Sequence, residues 1–416
     1  MSSGEPMNNA IIPPEDYAAD ACVECGACLA ACPYMTMSAG RARREIRRLR
    51  RGGHSMVLDR CAGCATCDAA CPHGCRPYAL IRKRWHQRYE RRALPLRARF
   101  LLPHSAPNFR SAIPLEPAER RFVQYLRRIP DQPRALFAGC NALLLSYQLR
   151  SGLWNGLQAF GALDFCCGEM YYRMGLFNHA RQCALRLQAL FENSPVREMV
   201  FLCSACYNML ANVYPREFGV ELPFEKTFAT KFLRERHDRG DLAFGKPLKE
   251  PVAVHDSCHA KLMGGALWDE TRDLLERAGA QVVEPEHTRS ESLCCGVAAG
   301  CCRFSPVDLA VTAARRLAEF DRTPARRAAA YCNGCFLTLE SVRCALPART
   351  PVEPVWDLLM RAAGEPVPRA LRARRAAHML AGVLTRALPD MLTPAARFRP
   401  QPIEPLPRAE FVPGER

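Results

Sequence analysis

Leu293-Cys294-Cys295-Gly296 is the stretch on which the fold turns. Two adjacent cysteines followed by glycine make a poor disulfide scaffold, but they aim two thiolates well at one metal centre. Upstream, Cys258 lies in His255-Asp256-Ser257-Cys258-His259. Downstream, Cys332 and Cys335 lie in Tyr331-Cys332-Asn333-Gly334-Cys335, so five thiols follow the order one Cys, then Cys-Cys-Gly, then Cys-x-x-Cys. The same order occurs once before, as Cys140, then Cys166-Cys167-Gly168, then Cys203-Ser204-Ala205-Cys206. From Cys167 to Cys203 is 36 positions and from Cys295 to Cys332 is 37, a regularity that marks an internal architectural repeat.

Short apolar runs at 134–138, 198–202, 252–255 and 328–331 lead into a cysteine, and each is followed by helix-compatible sequence. Strand, turn, helix is the grammar of an α/β unit. In open α/β folds ligands collect at the carboxyl ends of the strands, where helix N-termini present free amides and the positive end of the dipole. A free cysteine has a pKa of about 8.5, and a helix N-terminus or a metal lowers it enough to favour the thiolate.

The chain has 416 residues, which at roughly 150 residues per domain predicts about three domains. A hydrophobic share of 49% suffices for packed cores. Twenty-three cysteines without a secretory leader read as ligands in a reducing compartment, the cytoplasm, rather than as a disulfide framework. Residues 1–19 are rich in Pro, Asn and acidic residues and lack the pattern of an export signal. The longest uncharged run, 135–149, falls short of the approximately 20 residues a membrane span requires. The expected protein is soluble or peripheral on the inner membrane.

Near the N-terminus stands Cys22-x-x-Cys25-x-x-Cys28-x-x-x-Cys32-Pro33, repeated as Cys61-x-x-Cys64-x-x-Cys67-x-x-x-Cys71-Pro72. This is the two-cluster ferredoxin signature, in which the fourth cysteine of each run reaches across to the other cluster. By that rule Cys22, Cys25, Cys28 and Cys71 hold one [4Fe-4S] cubane, and Cys61, Cys64, Cys67 and Cys32 hold the second. Zinc sites would want their thiolates in two widely separated pairs. Basic blocks at 41–51 and 82–92 contribute to a formal net charge of +16 and a pI near 9.1. They predict docking of an acidic redox partner or an anionic membrane surface. Nucleic acid is disfavoured, because Trp85 and Tyr89 are the only aromatics available for base stacking in these blocks. No strand-linked Gly-x-Gly-x-x-Gly is present for a flavin or a nicotinamide, so electrons enter or leave through a partner.

On the five-cysteine order in both copies, on Gly168 through Gly175, and on His255-Asp256-x-Cys258-His259, the chain resembles the CCG-domain iron-sulfur proteins. These include the B-type polypeptide of heterodisulfide reductase and the iron-sulfur subunits of glycolate oxidase and anaerobic glycerol-3-phosphate dehydrogenase. With the ferredoxin runs, it looks like a fusion of the C-type and B-type polypeptides of heterodisulfide reductase. The resemblance implies an α/β plus α+β protein, in which an N-terminal two-cluster ferredoxin-like helical module precedes two repeated Rossmann-like CCG domains. The expected divisions are 1–93 for the ferredoxin module with its leader, 94–133 for a Pro-rich linker with a helix at 117–128, 134–245 and 250–360 for the CCG domains, and 365–416 for a basic Pro-rich tail with a helix-compatible stretch at 369–388.

The resemblance also implies one or two further [4Fe-4S] clusters, of non-cubane type in heterodisulfide reductase. Their ligands would be Cys140, Cys166, Cys167, Cys203 and Cys206, and Cys258, Cys294, Cys295, Cys332 and Cys335. In other members one set binds an ordinary cluster or another metal. The implied function is an electron-transfer subunit between a flavoprotein dehydrogenase and quinone or a disulfide. The alternative is thiol-disulfide catalysis beside a disulfide-reductase partner, with Cys258, Cys294 and Cys295 at the reacting centre and His255 and His259 delivering protons. A third reading is a zinc-bound basic scaffold for nucleic acid.

Five cysteines remain. Cys183 and Cys344 fall on helical patterns and are expected to be buried as small hydrophobes. Cys301 and Cys302 are expected to line the second CCG site without ligating, and Cys75 to pack near the second cubane. The bland role for His255, Asp256 and His259 is to cap the helix that follows.

Overall fold

A computed structural model describes residues 17–405. The leader at 1–16 and the end of the Pro-rich tail at 406–416 lie outside the described residues.

Apolar runs such as Ala135-Leu136-Phe137 and Val252-Ala253-Val254 are fully buried, as interior strands of a parallel sheet must be when helices cover both faces. Leu94–Pro95 (β1) pairs antiparallel with the distant Arg397–Phe398 (β10). Between them lie Arg134–Phe137 (β2), Gln158–Phe160 (β3), Glu198–Phe201 (β4) and Glu225–Phe228 (β5), a parallel sheet in the order β3-β2-β4-β5. Pro251–His255 (β6), Gln281–Val283 (β7), Arg327–Ala330 (β8) and Val352–Pro354 (β9) form a second parallel sheet in the order β7-β6-β8-β9. The repeat in the cysteines is therefore a repeat in topology. In each sheet the strand order reverses between the first and third strands of the copy, where an open α/β sheet leaves a crevice at the strands' carboxyl ends. Cys140 and Cys203 follow β2 and β4 there, and Cys258 and Cys332 follow β6 and β8.

The inner strands were expected from the sequence, and the edge strands were not. β3, β5 and β7 each open on a charged or amide residue, and β9 places Glu353 at a position that is 3% exposed. Arg327, Arg361 and Arg372 surround that carboxylate, so a buried charge sits in a strand that no apolar run marks.

Among the described residues before β1 there are helices and no strand. Helix Ala39–Arg50 starts at Ser38, whose Oγ accepts from the Arg41 amide, and packs Ala42, Ile46 and Leu49 inward. Helix Pro77–Arg91 has proline in its first turn, where the missing N–H costs nothing. It buries Ile81 and Trp85 against the same core and lays His86 on the first CCG unit, where the imidazole stacks on Phe177 at 4.7 Å and its Nδ1 lies 2.9 Å from the Gly175 carbonyl. Gly175 has φ +80°, and a Cβ there would stand 2.6 Å from the His86 backbone nitrogen.

Residues 94–133 place Leu94, Phe100, Leu102 and Ile113 in the main core and form helix Pro117–Tyr125 with a capping box at Glu116 and Glu119. Helix Arg369–Gly382 lies on helix Asn333–Arg343, with Ser341 Oγ donating to the Ala376 carbonyl at 2.9 Å. From it Arg375 crosses to Glu119 and to the Leu144 carbonyl. No helix among the described residues is long and apolar enough to cross a membrane.

Candidate metal centres

In the N-terminal module the residue after each second cysteine turns left-handed, Gly26 at φ 77° and Ala65 at φ 59°. Each then opens a one-turn helix carrying the third cysteine, so three thiols curl round one point. The fourth comes from the other run. Burial pushes the Cys28 thiol up to about 12, and Cys71, Cys25 and Cys22 add to it. Cys61 is likewise raised by burial, with Cys64 and Cys32 as its thiol neighbours. Cys67 feels Cys61 and Cys64 and, more weakly, Cys28, so the two sets are adjacent. Cys75 donates its amide to Cys71 Sγ at 3.4 Å and sits beside Cys22. The expectation that it packs at the second set is corrected: it follows Cys71 through one tight turn, and Cys71 stands with the first triple.

In each CCG unit the cysteine pair runs into a left-handed glycine. Gly168 has φ +76°, and a Cβ there would come 3.0 Å from Cys183 Cβ and 3.1 Å from Ala180 Cα. Gly296 has φ +103° with Leu309 O at 2.4 Å. Glycine thus lets the chain reverse tightly over the paired cysteines before the next helix begins. In the first unit the thiols neighbour one another in the order Cys140, Cys166, Cys167, Cys206, Cys203. In the second the order is Cys294, Cys295, Cys335, Cys332. Cys258 neighbours Cys295 but bonds to an arginine instead.

The two sets face each other. Ser204 and Ser257 hydroxyls meet at 2.9 Å, Asn333 Nδ2 donates to Gln148 Oε1 at 2.9 Å, and Cys203 neighbours Cys332 across the gap. All of the first set, with Cys258, Cys295, Cys332 and Cys335, line one cleft that is partly open to solvent. Cys294 turns the other way, and its amide donates to the Tyr34 hydroxyl at 2.7 Å. Tyr34 follows Cys32-Pro33 directly, and Cys64 is among the charges acting on Cys294.

The histidines have distinct settings. Arg316 Nε donates to His255 Nδ1 at 3.3 Å, so the ring proton sits on Nε2. The ring stands beside Cys295 and Cys335, and one ligating atom from each of the three lies within 4.8 Å of the others, while Nε2 has no hydrogen-bond partner among the described residues. His259 lines the cleft, with Nε2 2.6 Å from Arg173 Nη2 and 3.1 Å from Glu169 Oε1. Neither side chain caps a helix, which corrects that expectation: both rings are drawn inward to arginine partners. Asp256 is held by Arg272 at 3.0 and 2.9 Å and by the Arg289 amide at 2.7 Å, closing the loop instead.

Two arginines were invisible in the sequence because neither stands near the cysteine it serves. Arg110, from 94–133, donates from Nη2 to Cys140 Sγ at 3.1 Å. Arg173 donates from Nη2 to Cys258 Sγ at 3.5 Å and from Nη1 to the Gly63 carbonyl of the N-terminal module at 2.8 Å. Burial pushes the Cys258 thiol up to about 11 against the pull of Arg173. Arg110 is 6% exposed, and its Nε and Nη1 have no hydrogen-bond partner among the described residues. A buried guanidinium of this kind suits a polyanionic thiolate cluster and does not suit a set of neutral thiols. The donor set therefore fits an iron-sulfur centre.

The remaining thiols divide. Cys301 contacts Met170 Sδ at 3.8 Å, while Cys302 lies against Gly63, whose added Cβ would stand 2.6 Å from its sulfur. Neither lines the cleft, against expectation, because their helix turns both sulfurs toward neighbouring elements; Cys302 sits between the units. Cys183 is buried against Gly168. Cys344 is exposed, which corrects its expected burial, because it falls past the last turn of its helix.

Residues 18–75 match the 4Fe-4S dicluster domain family, and residues 156–211 and 252–340 match the cysteine-rich domain family, CCG. The D-type polypeptide of the dihydromethanophenazine:CoB--CoM heterodisulfide reductase of Methanosarcina barkeri is 27% identical over 234 residues, 55% of this chain and 57% of that polypeptide. The EtfAB:quinone oxidoreductase of Syntrophomonas wolfei is 32% identical over 142 residues, 34% of this chain and 19% of that protein. The probable iron-sulfur-binding oxidoreductase FadF of Bacillus subtilis is 34% identical over 111 residues, 26% of this chain and 15% of that protein. The chain thus spans little more than half the length of the first of these relatives and much less of the other two.

Proposed function

Since the chain joins a 4Fe-4S dicluster domain to CCG cysteine-rich domains, we propose that it is the iron-sulfur electron-transfer subunit of a heterodisulfide-reductase-like oxidoreductase complex. It passes electrons between a flavoprotein dehydrogenase and quinone or a disulfide. One observation carries this: Tyr34, next to a ligand of the second cubane set, holds the Cys294 amide of the second CCG set at 2.7 Å. The thiol sets then form a continuous series. Clusters bound there supply one-electron carriers. Cys22, Cys25, Cys28 and Cys71 would hold one, Cys61, Cys64, Cys67 and Cys32 a second, and the two five-cysteine sets the others. The chain's own part is to bury the thiolates and to hold their charge with Arg110 and Arg173. Purified anaerobically with its partner, the protein should be brown, with about eight irons in the ferredoxin module and further iron in the CCG units. Colourless protein with stoichiometric zinc would overturn the proposal.

A second reading, thiol-disulfide catalysis, is supported by the single cleft on which cysteines of both sets and His259 converge. His255 stands within 4.8 Å of the Cys295 sulfur and His259 sits at the cleft wall, so either is placed to protonate a leaving thiolate. A positioned acid contributes roughly 10²- to 10⁴-fold. On this reading His255→Gln or His259→Gln lowers turnover of a small disulfide by that factor and leaves electron transfer to a quinone analogue unchanged. If neither substitution alters disulfide turnover, the relay stands alone.

A further inference from the structure

Each CCG set opens with a cysteine whose sulfur accepts a hydrogen bond from a buried arginine, Arg110 at Cys140 and Arg173 at Cys258. The two cations keep different company. Arg173 Nε lies 2.5 Å from Glu169 Oε1, and both side chains are buried, so an anion cancels the cation beside the second set. Arg110 forms no carboxylate pair among the described residues. Beyond Cys140 its side chain meets the Phe109 ring, 4.1 Å from the centroid, and two of its nitrogens are bare. An uncancelled cation in a low-dielectric site favours whichever state of its neighbour is more negative.

We propose that this asymmetry makes the first CCG centre the easier of the two to reduce. Arg110 stabilises the added negative charge at Cys140, Cys166 and Cys167, while Glu169 removes that advantage from the Cys258 set. This rests on the reading that both sets hold iron-sulfur centres. The second set adjoins the ferredoxin module through Tyr34, and the first lies beyond it across the Ser204–Ser257 contact. The more oxidising centre therefore stands at the far end of the series. Arg110 and Glu169 are tuning residues, and neither is placed on a reacting atom of substrate.

The test is an EPR-monitored redox titration of the anaerobic full-length protein with dithionite and mediators, each reduction adding one electron from dithionite to one centre. Signals are assigned with Cys167→Ser and Cys295→Ser. The wild type should show the first centre at the higher potential. Arg110→Gln should lower that potential by at least a tenfold change in the reduction equilibrium, about 59 mV for a one-electron couple, and Arg110→Lys should restore most of it. Glu169→Gln should raise the potential of the second centre. Equal potentials in the wild type, or unmoved potentials in Arg110→Gln, would overturn the proposal. If Arg110→Gln fails to assemble the first centre, Glu169→Gln decides: a raised second potential supports the proposal, and an unchanged one overturns it. Absence of any CCG signal in the wild type would instead defeat the underlying iron-sulfur reading and the proposal with it.

Discussion

At Gly296 the backbone takes φ +103°, and a methyl group would press on the Leu309 carbonyl at 2.4 Å. Gly219 closes its helix in the left-handed region, at φ 63° and ψ 27°, with nothing within 4 Å of an added Cβ. Alanine at Gly219 therefore carries only the left-handed penalty, about 1–2 kcal/mol. Gly296→Ala adds a steric term of about 1–3 kcal/mol. Urea midpoints should separate the two variants, with Gly296→Ala the less stable and depleted in CCG iron; equal midpoints would show that packing plays no part. His104 gives a pH handle away from the metal ligands. Burial, with Arg186, lowers its pKa to about 4, its Nδ1 lies 3.1 Å from the Tyr171 hydroxyl, and its Nε2 is buried without a partner. A depressed folded-state pKa means that its contribution is present above the unfolded value of about 6.5 and is lost as pH falls toward about 4. The fall in stability between those limits should shrink in His104→Gln, measured as denaturation midpoint against pH.

Single-turn helices set the ligand geometry at the scale of the element. Ala27–Ala30 and Thr66–Ala69 each start from a left-handed residue, and the short reach from there to Cys32 and Cys71 lets each fourth cysteine swing to the neighbouring set. Cys32→Ser should therefore disturb the EPR signal of the set containing Cys61, Cys64 and Cys67. Loss confined to the set containing Cys22, Cys25 and Cys28 would show that ligation is not crosswise. Helix Ala39–Arg50 does two things. Arg43 and Arg50 brace the first cluster loop through the carbonyls of Cys25 and Cys22, at 3.3 and 3.0 Å, while Arg41, Arg44 and Arg48 face solvent.

For the whole molecule, that basic face belongs to the same module as the exposed Val23 of the first cluster loop, which suits an acidic redox partner. Attraction between exposed charges is screened over about 8 Å at physiological salt. Partner association, followed by stopped-flow reduction, should slow steeply as salt rises while iron content stays constant. Rates indifferent to salt would remove the basic face from docking. Tight duplex-DNA binding with no effect on partner reduction would favour the scaffold reading instead.

The sequence by itself determined the repeat, the inner strands and the grouping of the thiols, because ligand spacing and apolar runs are local patterns that survive in one dimension. It did not disclose the edge strands, since β9 buries Glu353 by recruiting arginines from elsewhere in the chain. Nor did it disclose Arg110 and Arg173, for which 30 and 85 residues separate each guanidinium from the sulfur it reaches. The facing of the two CCG sets, the turn of Cys294 toward Tyr34 and the different company of the two arginines were decided by tertiary structure alone. A buried charge is placed by whatever counter-charge packing brings within a few ångströms, and no spacing in the chain encodes that distance.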